Sequence, residues 1–339
     1  MAERKTVGVI GAGSFGTAVA NLLAYNVDVL LYARNEKLIE QINETRQHKG
    51  VVLHERIKMV NSLELVANEC ELIFPVIPSN NFRDLMRTLA PYLKPYHFLI
   101  HGTKGLTAEG EEILSGKNIY TMSDVIAQES SVVRIGCLSG PNISKEILAG
   151  QPAATVIASR FKEVVDMGKS VLSSHLMQVY STKDIRGAEL AGAFKNIVAI
   201  GAGIVGGLNL GSNVWGLLIT RGLNEMIHLG KALGADVKPF LGVAGIGDLV
   251  ATASSRNSRN YTVGYHLAQE KSLEEIIEMM EETAEGIQTV RFAKKIADQY
   301  NLQVPITRMV YRILYEDYKA KDAFEFLIRI KYVNDVDYL

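Results

Sequence analysis

The sequence predicts an α/β chain in two parts: a doubly wound, mostly parallel sheet over residues 1–185 and an all-helical domain over 186–339. Three observations carry this. Short apolar runs alternate with helical patterns up to about residue 185, the rhythm of a parallel sheet whose crossovers are helices. A glycine-rich turn, Gly11-Ala12-Gly13-Ser14-Phe15-Gly16, stands between the first apolar run and the first helical pattern. Beyond Tyr180 the strand signals fade and long helical patterns take over, at 187–205 and again at 214–233.

The strands follow in order. Val7-Gly8-Val9-Ile10 is the first, and further apolar runs stand at 27–32, 72–74, 98–100, 132–137, 154–158 and 177–180. Pro75 has no N–H to give a central ladder, so pairing is expected to stop or bulge there. No repeat, low-complexity segment or long linker separates the two parts. They are expected to pack directly, with the ligand in the cleft between them.

The glycine-rich turn has a dinucleotide's chemistry. Gly11 permits a tight turn, Gly13 lets the backbone approach a pyrophosphate, and Gly16 lets the new helix pack closely on its strand. Ser14 and Phe15 begin that helix, whose unpaired N–H groups and positive dipole end suit the phosphates. A glycine-rich bend in an ordinary loop is the competing reading, and the flanking strand and helix favour NAD or NADP. About twenty residues on, where an acid reads the NAD ribose and an arginine suits the NADP 2′-phosphate, the second strand ends in Ala33-Arg34-Asn35. Asp28 comes too early, and Glu36 lies just past the tip. NADPH is therefore favoured, although an arginine at a strand end also reads as ordinary solvated surface.

Composition narrows the partners. With 47% hydrophobic and 22% charged residues and a formal net charge of -1, the 339-residue chain has globular composition and no global field to draw nucleic acid or an anionic membrane surface. Any anionic ligand must be held by local cations. The first strand opens within a few residues of the start, which predicts no signal peptide and a cytoplasmic location. Cys70 and Cys137, the two cysteines, are expected to be buried packing residues, and the histidines form no ligand-like cluster. His97 and His101 are expected to be structural.

Lys195 stands out in the second part. It lies in Ala191-Gly192-Ala193-Phe194-Lys195-Asn196-Ile197-Val198-Ala199, too apolar for a solvated face, with Gly192 and Ala199 at helical spacing leaving room beside the ammonium. Desolvation there would bring its pKa toward the range of proton transfer, and a nearby carboxylate would oppose that. A snorkelling lysine is the bland alternative. Asp248, in Gly245-Ile246-Gly247-Asp248, is a candidate to orient such a lysine or simply a helix cap. Ser258-Arg259-Asn260 offers a hydroxyl, a guanidinium and an amide together, suited to a phosphate or to an exposed polar turn. Lys104 follows the strand at 98–100, at the carboxyl edge where ligands bind such sheets.

Taken together, these motifs resemble the NAD(P)-dependent glycerol-3-phosphate dehydrogenases, particularly the compact bacterial type. The resemblance spans nearly the whole chain: Gly11 to Gly16, Thr103-Lys104-Gly105-Leu106, Ser139-Gly140-Pro141, Ala193-Phe194-Lys195-Asn196, and Gly247-Asp248-Leu249 followed by Ser258-Arg259-Asn260. Leu218-Ile219-Thr220-Arg221-Gly222-Leu223 and Glu285-Gly286 fit it as well. It implies a Rossmann-like first domain and reversible reduction of dihydroxyacetone phosphate to sn-glycerol 3-phosphate, supplying phospholipid synthesis, with Lys195 exchanging the proton. Carried over by position, it implies substrate contacts at Lys104, Gly140, Asn142, Lys195, Asp248, Ser258, Arg259 and Asn260. It places Ser14, Phe15, Arg34, Lys104, Ser144, Arg259 and Glu285 near the cofactor. Asn142 departs from the small hydroxyl residue usual after Ser-Gly-Pro, and Ser144 stands where alanine is usual. A homodimer through the helical domain, no metal, and no nucleic-acid or membrane partner are also expected. The alternatives are a two-domain hydroxyacid or ketopantoate-type reductase, whose substrates carry carboxylates, and a non-catalytic nicotinamide-binding regulator, which would need neither Lys195 nor Asp248.

Overall fold

In the computed structural model, which describes residues 5–108, 118–280 and 282–323, the chain divides into two compact units. The first takes Met1–Thr103 and Met122–Ile185, the second Lys104–Thr121 and Arg186–Leu339. The segment from Lys104 to Thr121 thus belongs to the second unit, where a single break near residue 185 is the sequence expectation. The contacts that divert it are long-range and leave no local signature. Thr103 Oγ1 donates to Ile77 O at 2.7 Å within the first unit, and the carbonyl of Lys104 already accepts from Asn196 Nδ2 at 3.3 Å within the second. The last part of the expected second domain, 324–339, lies outside the described residues.

The first unit is built on an eight-stranded sheet: β1 (Thr6–Ile10), β2 (Asp28–Tyr32), β3 (Ile57–Val60), β4 (Leu72–Pro75), β5 (Phe98–His101), β6 (Arg134–Ser139), β7 (Ala153–Ala158) and β8 (Met177–Thr182). Their order is β8-β7-β6-β5-β4-β1-β2-β3. All neighbours are parallel except β6 and β7, where Cys137 pairs with Ala158 and Ser139 with Val156 in antiparallel register. The strand order reverses between β1 and β4, and the carboxyl ends there form the crevice where such sheets take ligands. β3 has no counterpart in the sequence reading, because a four-residue edge strand is too short for alternation to show.

Pro75 does end its strand, on one side. Its ladder to β1 continues to the Ile10 pair, whereas the ladder to β5 stops at Ile73–Leu99, where the missing N–H would have been needed. Fully buried Val9, Leu31, Phe74, Ile100 and Ile157 form the sheet's part of the core. Around it lie α1 (Ser14–Leu23), α2 (Glu36–Thr45), α3 (Leu63–Glu69), α4 (Phe82–Leu89), α5 (Met122–Glu129), α6 (Ser144–Leu148) and α7 (Lys162–Leu172). Cys70 and Cys137 are buried free thiols, and burial pushes the Cys70 thiol up to about 12. The His97 ring bonds the Ala67 carbonyl through Nε2 at 2.9 Å and accepts from Lys94 N–H through Nδ1 at 2.8 Å. The His101 ring meets Phe82 edge-on.

The second unit is helical: α8 (Ile185–Gly207), α9 (Ser212–Ala232), α10 (Lys238–Leu241), α11 (Asp248–Ser254), α12 (Arg259–Ala268), α13 (Leu273–Met279), α14 (Glu285–Gln299) and α15 (Pro305–Tyr315). It also holds one antiparallel ladder, Thr107–Ala108 with Ile119–Tyr120, brought in by the segment before 186; the described residues from 186 on contain helices and no strand. Two-residue strands carry no period to read. α8 is long and apolar enough to cross a membrane, yet 94% of that window is buried inside the protein, as expected of a helix apolar all round at the centre of a core. Along it α12 packs backbone to backbone. A Cβ on Gly203 would stand 2.0 Å from the Tyr261 carbonyl oxygen, and one on Gly264 would stand 1.9 Å from that of Ile200. From α9, Glu225 caps α15 by accepting from the N–H groups of Ile306 at 2.6 Å and Thr307 at 2.8 Å.

Candidate active site

α8 carries Lys195 into the core of the second unit, where the residue is 6% exposed, so it does not snorkel. Asp248 opens α11 immediately after a π-helical turn, Val243–Gly247, a local widening often found at functional sites. Thr252 follows one turn later on the same face. Lys195 Nζ stands 3.0 Å from Asp248 Oδ1 and donates to Thr252 Oγ1 at 2.5 Å. The threonine hydroxyl in turn donates to Asp248 Oδ1 at 3.2 Å. Lys104 Nζ donates to the other carboxylate oxygen, Oδ2, at 2.6 Å. Two ammoniums thus share one carboxylate.

Burial and charge act against each other here. Desolvation pulls the Lys195 ammonium down to about 8; Asp248 opposes that fall, and the Lys104 charge adds to it. At Asp248 burial works to raise the pKa, but Lys104 and Lys195 outweigh it and hold the carboxyl below its usual range. The result is an ionised aspartate beside a lysine poised to give or take a proton near neutral pH.

A chain of amides binds the surrounding pieces together. Asn196 Nδ2 donates to the Lys104 carbonyl, Asn260 Nδ2 donates to Asn196 Oδ1 at 2.9 Å, and the Gly286 N–H donates to Asn260 Oδ1 at 2.9 Å. Each linked residue is Lys104 itself or the neighbour in sequence of Lys195, Arg259 or Glu285. The Asn260 side chain is therefore engaged within the protein. The Ser258 hydroxyl is engaged too, capping α12 by accepting from Tyr261 N–H. What α12 presents to an anion is the N–H groups of Arg259 and Asn260 in its first turn, and the Arg259 guanidinium. Arg259 Nη1 donates to the Thr283 carbonyl at 2.8 Å and pairs with Glu282 at 3.3 Å. Glu285 is the first residue of α14.

In the first unit the fingerprint has the geometry a dinucleotide needs. Gly11 has φ +116, and its Cβ would stand 2.3 Å from the Val76 carbonyl oxygen; a Cβ on Gly16 would stand 1.8 Å from that of Gly11. Gly13 is the N-cap of α1 and brings no side chain to it, so the first-turn N–H groups beginning at Ser14 suit a pyrophosphate. The Phe15 ring lies against Gly102. Arg34 is exposed just past β2, at the same sheet edge as the fingerprint, since Ile10 pairs with Tyr32. Glu36 accepts from Asn61 Nδ2 at 2.9 Å. Gly140 has φ +150. Asn142 is tied to β7, donating to Ala154 O and accepting from Thr155 Oγ1, both at 3.0 Å. Ser144 opens α6, which packs on α1.

Residues 6–165 match the sequence profile of the NAD-dependent glycerol-3-phosphate dehydrogenase N-terminus, and 184–325 that of its C-terminus. The chain belongs to this family. It is 38% identical over 344 residues to a glycerol-3-phosphate dehydrogenase [NAD(P)+] of Pseudomonas putida, covering 100% of this chain and 98% of the relative. It is 36% identical to one of Saccharophagus degradans, covering 99% and 93%. Among solved structures, the glycerol-3-phosphate dehydrogenase of Coxiella burnetii superposes with a TM-score of 0.88 at 30% identity, covering 96% of this chain and 99% of that one.

In this chain, hydrogen bonds unite Lys104, Lys195, Asp248 and Asn260, with Arg259 opening the α12 that carries Asn260 and Ser258 capping it. Gly11, Gly13, Ser14, Phe15, Gly16 and Arg34 stand together at one edge of the sheet. Thr252, Asn196 and Glu282 are neighbours of the charged groups to which sequence reasoning gave no role. Thr252 had a readable signal, since a hydroxyl four residues after a buried aspartate shares its helix face; the other two had none.

Proposed function

We propose that this chain reversibly reduces dihydroxyacetone phosphate to sn-glycerol 3-phosphate with NADPH favoured over NADH, in the cytoplasm, as a supply for phospholipid synthesis. The observation that carries the reading is the sharing of the buried Asp248 carboxylate by Lys104 and Lys195, on the unit that also holds α12 and Arg259. The bound nicotinamide supplies the hydride. As negative charge grows on the C2 oxygen, Lys195 Nζ gives it a proton and the Lys104 ammonium stabilises it. In the oxidative direction neutral Lys195 takes the proton back. Asp248 and Thr252 hold the lysine in place, and Arg259 with the first-turn N–H groups of α12 holds the phosphate. The exposed Arg34, beside a Glu36 already engaged by Asn61, supports the NADPH preference. The direct test is oxidation of NADPH and of NADH by the purified protein, with and without dihydroxyacetone phosphate and with 2-keto acids in its place. Turnover with the keto acids alone would overturn the proposal.

A further inference from the structure

Arg259 is the cation this reading gives to the substrate phosphate, and in the structure it already has an anion. Its Nη1 stands 3.3 Å from a carboxylate oxygen of Glu282 and donates to the carbonyl of Thr283 at 2.8 Å. Both acceptors belong to the short stretch just before α14, and Glu285 at the start of that helix is the residue assigned to the cofactor. A guanidinium forks onto a carboxylate or a phosphate through the same N–H groups. A phosphate arriving at α12 therefore meets an arginine whose fork is partly in use, with a like charge beside it.

We propose that Glu282 is an internal stand-in for the substrate phosphate: it occupies Arg259 in the free enzyme and is exchanged for the phosphate on binding, setting the affinity for phosphorylated substrate. The proposal rests on the assignment of Arg259 to the phosphate. The pair is partly exposed, at 45% for the arginine side chain and 25% for the glutamate, which places it among weak ion pairs. An equilibrium of that strength leaves only a fraction of molecules with Arg259 available, and apparent affinity falls by that fraction. The expected weakening is about two- to sixfold. That is enough to tune KM and too little to block turnover.

The test compares the wild type with Glu282→Gln, Arg259→Ala and the double variant. It reads KM for dihydroxyacetone phosphate, the inhibition constant of inorganic phosphate, and kcat/KM for dihydroxyacetone, which lacks the phosphate. Glu282→Gln is expected to lower the first two by about two- to sixfold at low salt and to leave the third unchanged. The gain should vanish in the Arg259→Ala background. If Arg259→Ala raises KM but Glu282→Gln leaves it unchanged or raises it, the stand-in is wrong and the phosphate assignment survives. If Arg259→Ala leaves KM unchanged, both fall. An equal effect of Glu282→Gln on dihydroxyacetone would show a structural role and overturn the proposal as well.

Discussion

Lys104 and Lys195 hold opposite oxygens of one carboxylate, Oδ2 and Oδ1 of Asp248, at 2.6 and 3.0 Å. The two ammoniums thus compete for one counter-charge at Asp248. Burial brings the Lys195 ammonium down to about 8 against the pull of Asp248.

Lys195→Met keeps most of the side-chain volume and removes the proton and the charge. Folding and NADPH binding are expected to survive, while hydride transfer measured by stopped flow falls by at least about 10²–10⁴-fold. A rate within tenfold of wild type would rule out the mechanism. On the proposed mechanism reduction needs the protonated lysine, so in the intact enzyme kcat for reduction should fall as pH rises through about 8. Oxidation needs the neutral form and should rise across the same interval.

Asp248→Asn leaves two buried ammoniums facing an amide. Removing one partner of a buried ion pair costs about 3–5 kcal/mol, which urea unfolding would register. With the opposing carboxylate gone, the Lys195 pKa falls further, so the alkaline limb of the reduction profile should move to lower pH. An unmoved limb would separate Asp248 from the titration of Lys195.

Arg259→Ala removes a charge-assisted contact of about 1.5–3 kcal/mol. KM for dihydroxyacetone phosphate should rise by about ten- to a hundredfold at that strength. Steady-state kinetics showing wild-type KM and kcat would return Arg259 to the ordinary surface.

Arg34→Asp places a like charge where the 2′-phosphate is expected. Binding titrations should show NADPH weakened far more than NADH, with the preference reversed. Equal losses for both cofactors would show that Arg34 does not read the phosphate.

What was legible in the sequence was what repeats locally. The fingerprint turn, the alternation of strands and helices, and the burial of Lys195 in α8 are all written in consecutive residues, and the structure has them. β3 was not legible, because Ile57 to Val60 is too short to show alternation. Neither was the passage of Lys104–Thr121 into the second unit, which is fixed by bonds such as that from Asn196 to the Lys104 carbonyl, 92 residues away. Asn260 was legible as a polar residue beside an arginine, but not as a side chain already engaged, because its partners Asn196 and Gly286 come from other helices.

The seam between α8 and α12 has a consequence for which molecules can react. Ile200 lies five residues after Lys195 and Gly264 five after Arg259, so each charged residue sits about 7.5 Å along its helix from a contact made by bare backbone. No side chain lies at that contact to flex or repack. The backbone positions from which Lys195 and Arg259 reach out are therefore held at a set spacing, and on the proposed reading these are the proton donor and the phosphate anchor. An error of about 1 Å in the placement of a reacting group costs about a hundredfold in rate. On that reading, the match to the number of carbons between carbonyl and phosphate depends on Gly203 and Gly264, two residues with no functional group at all.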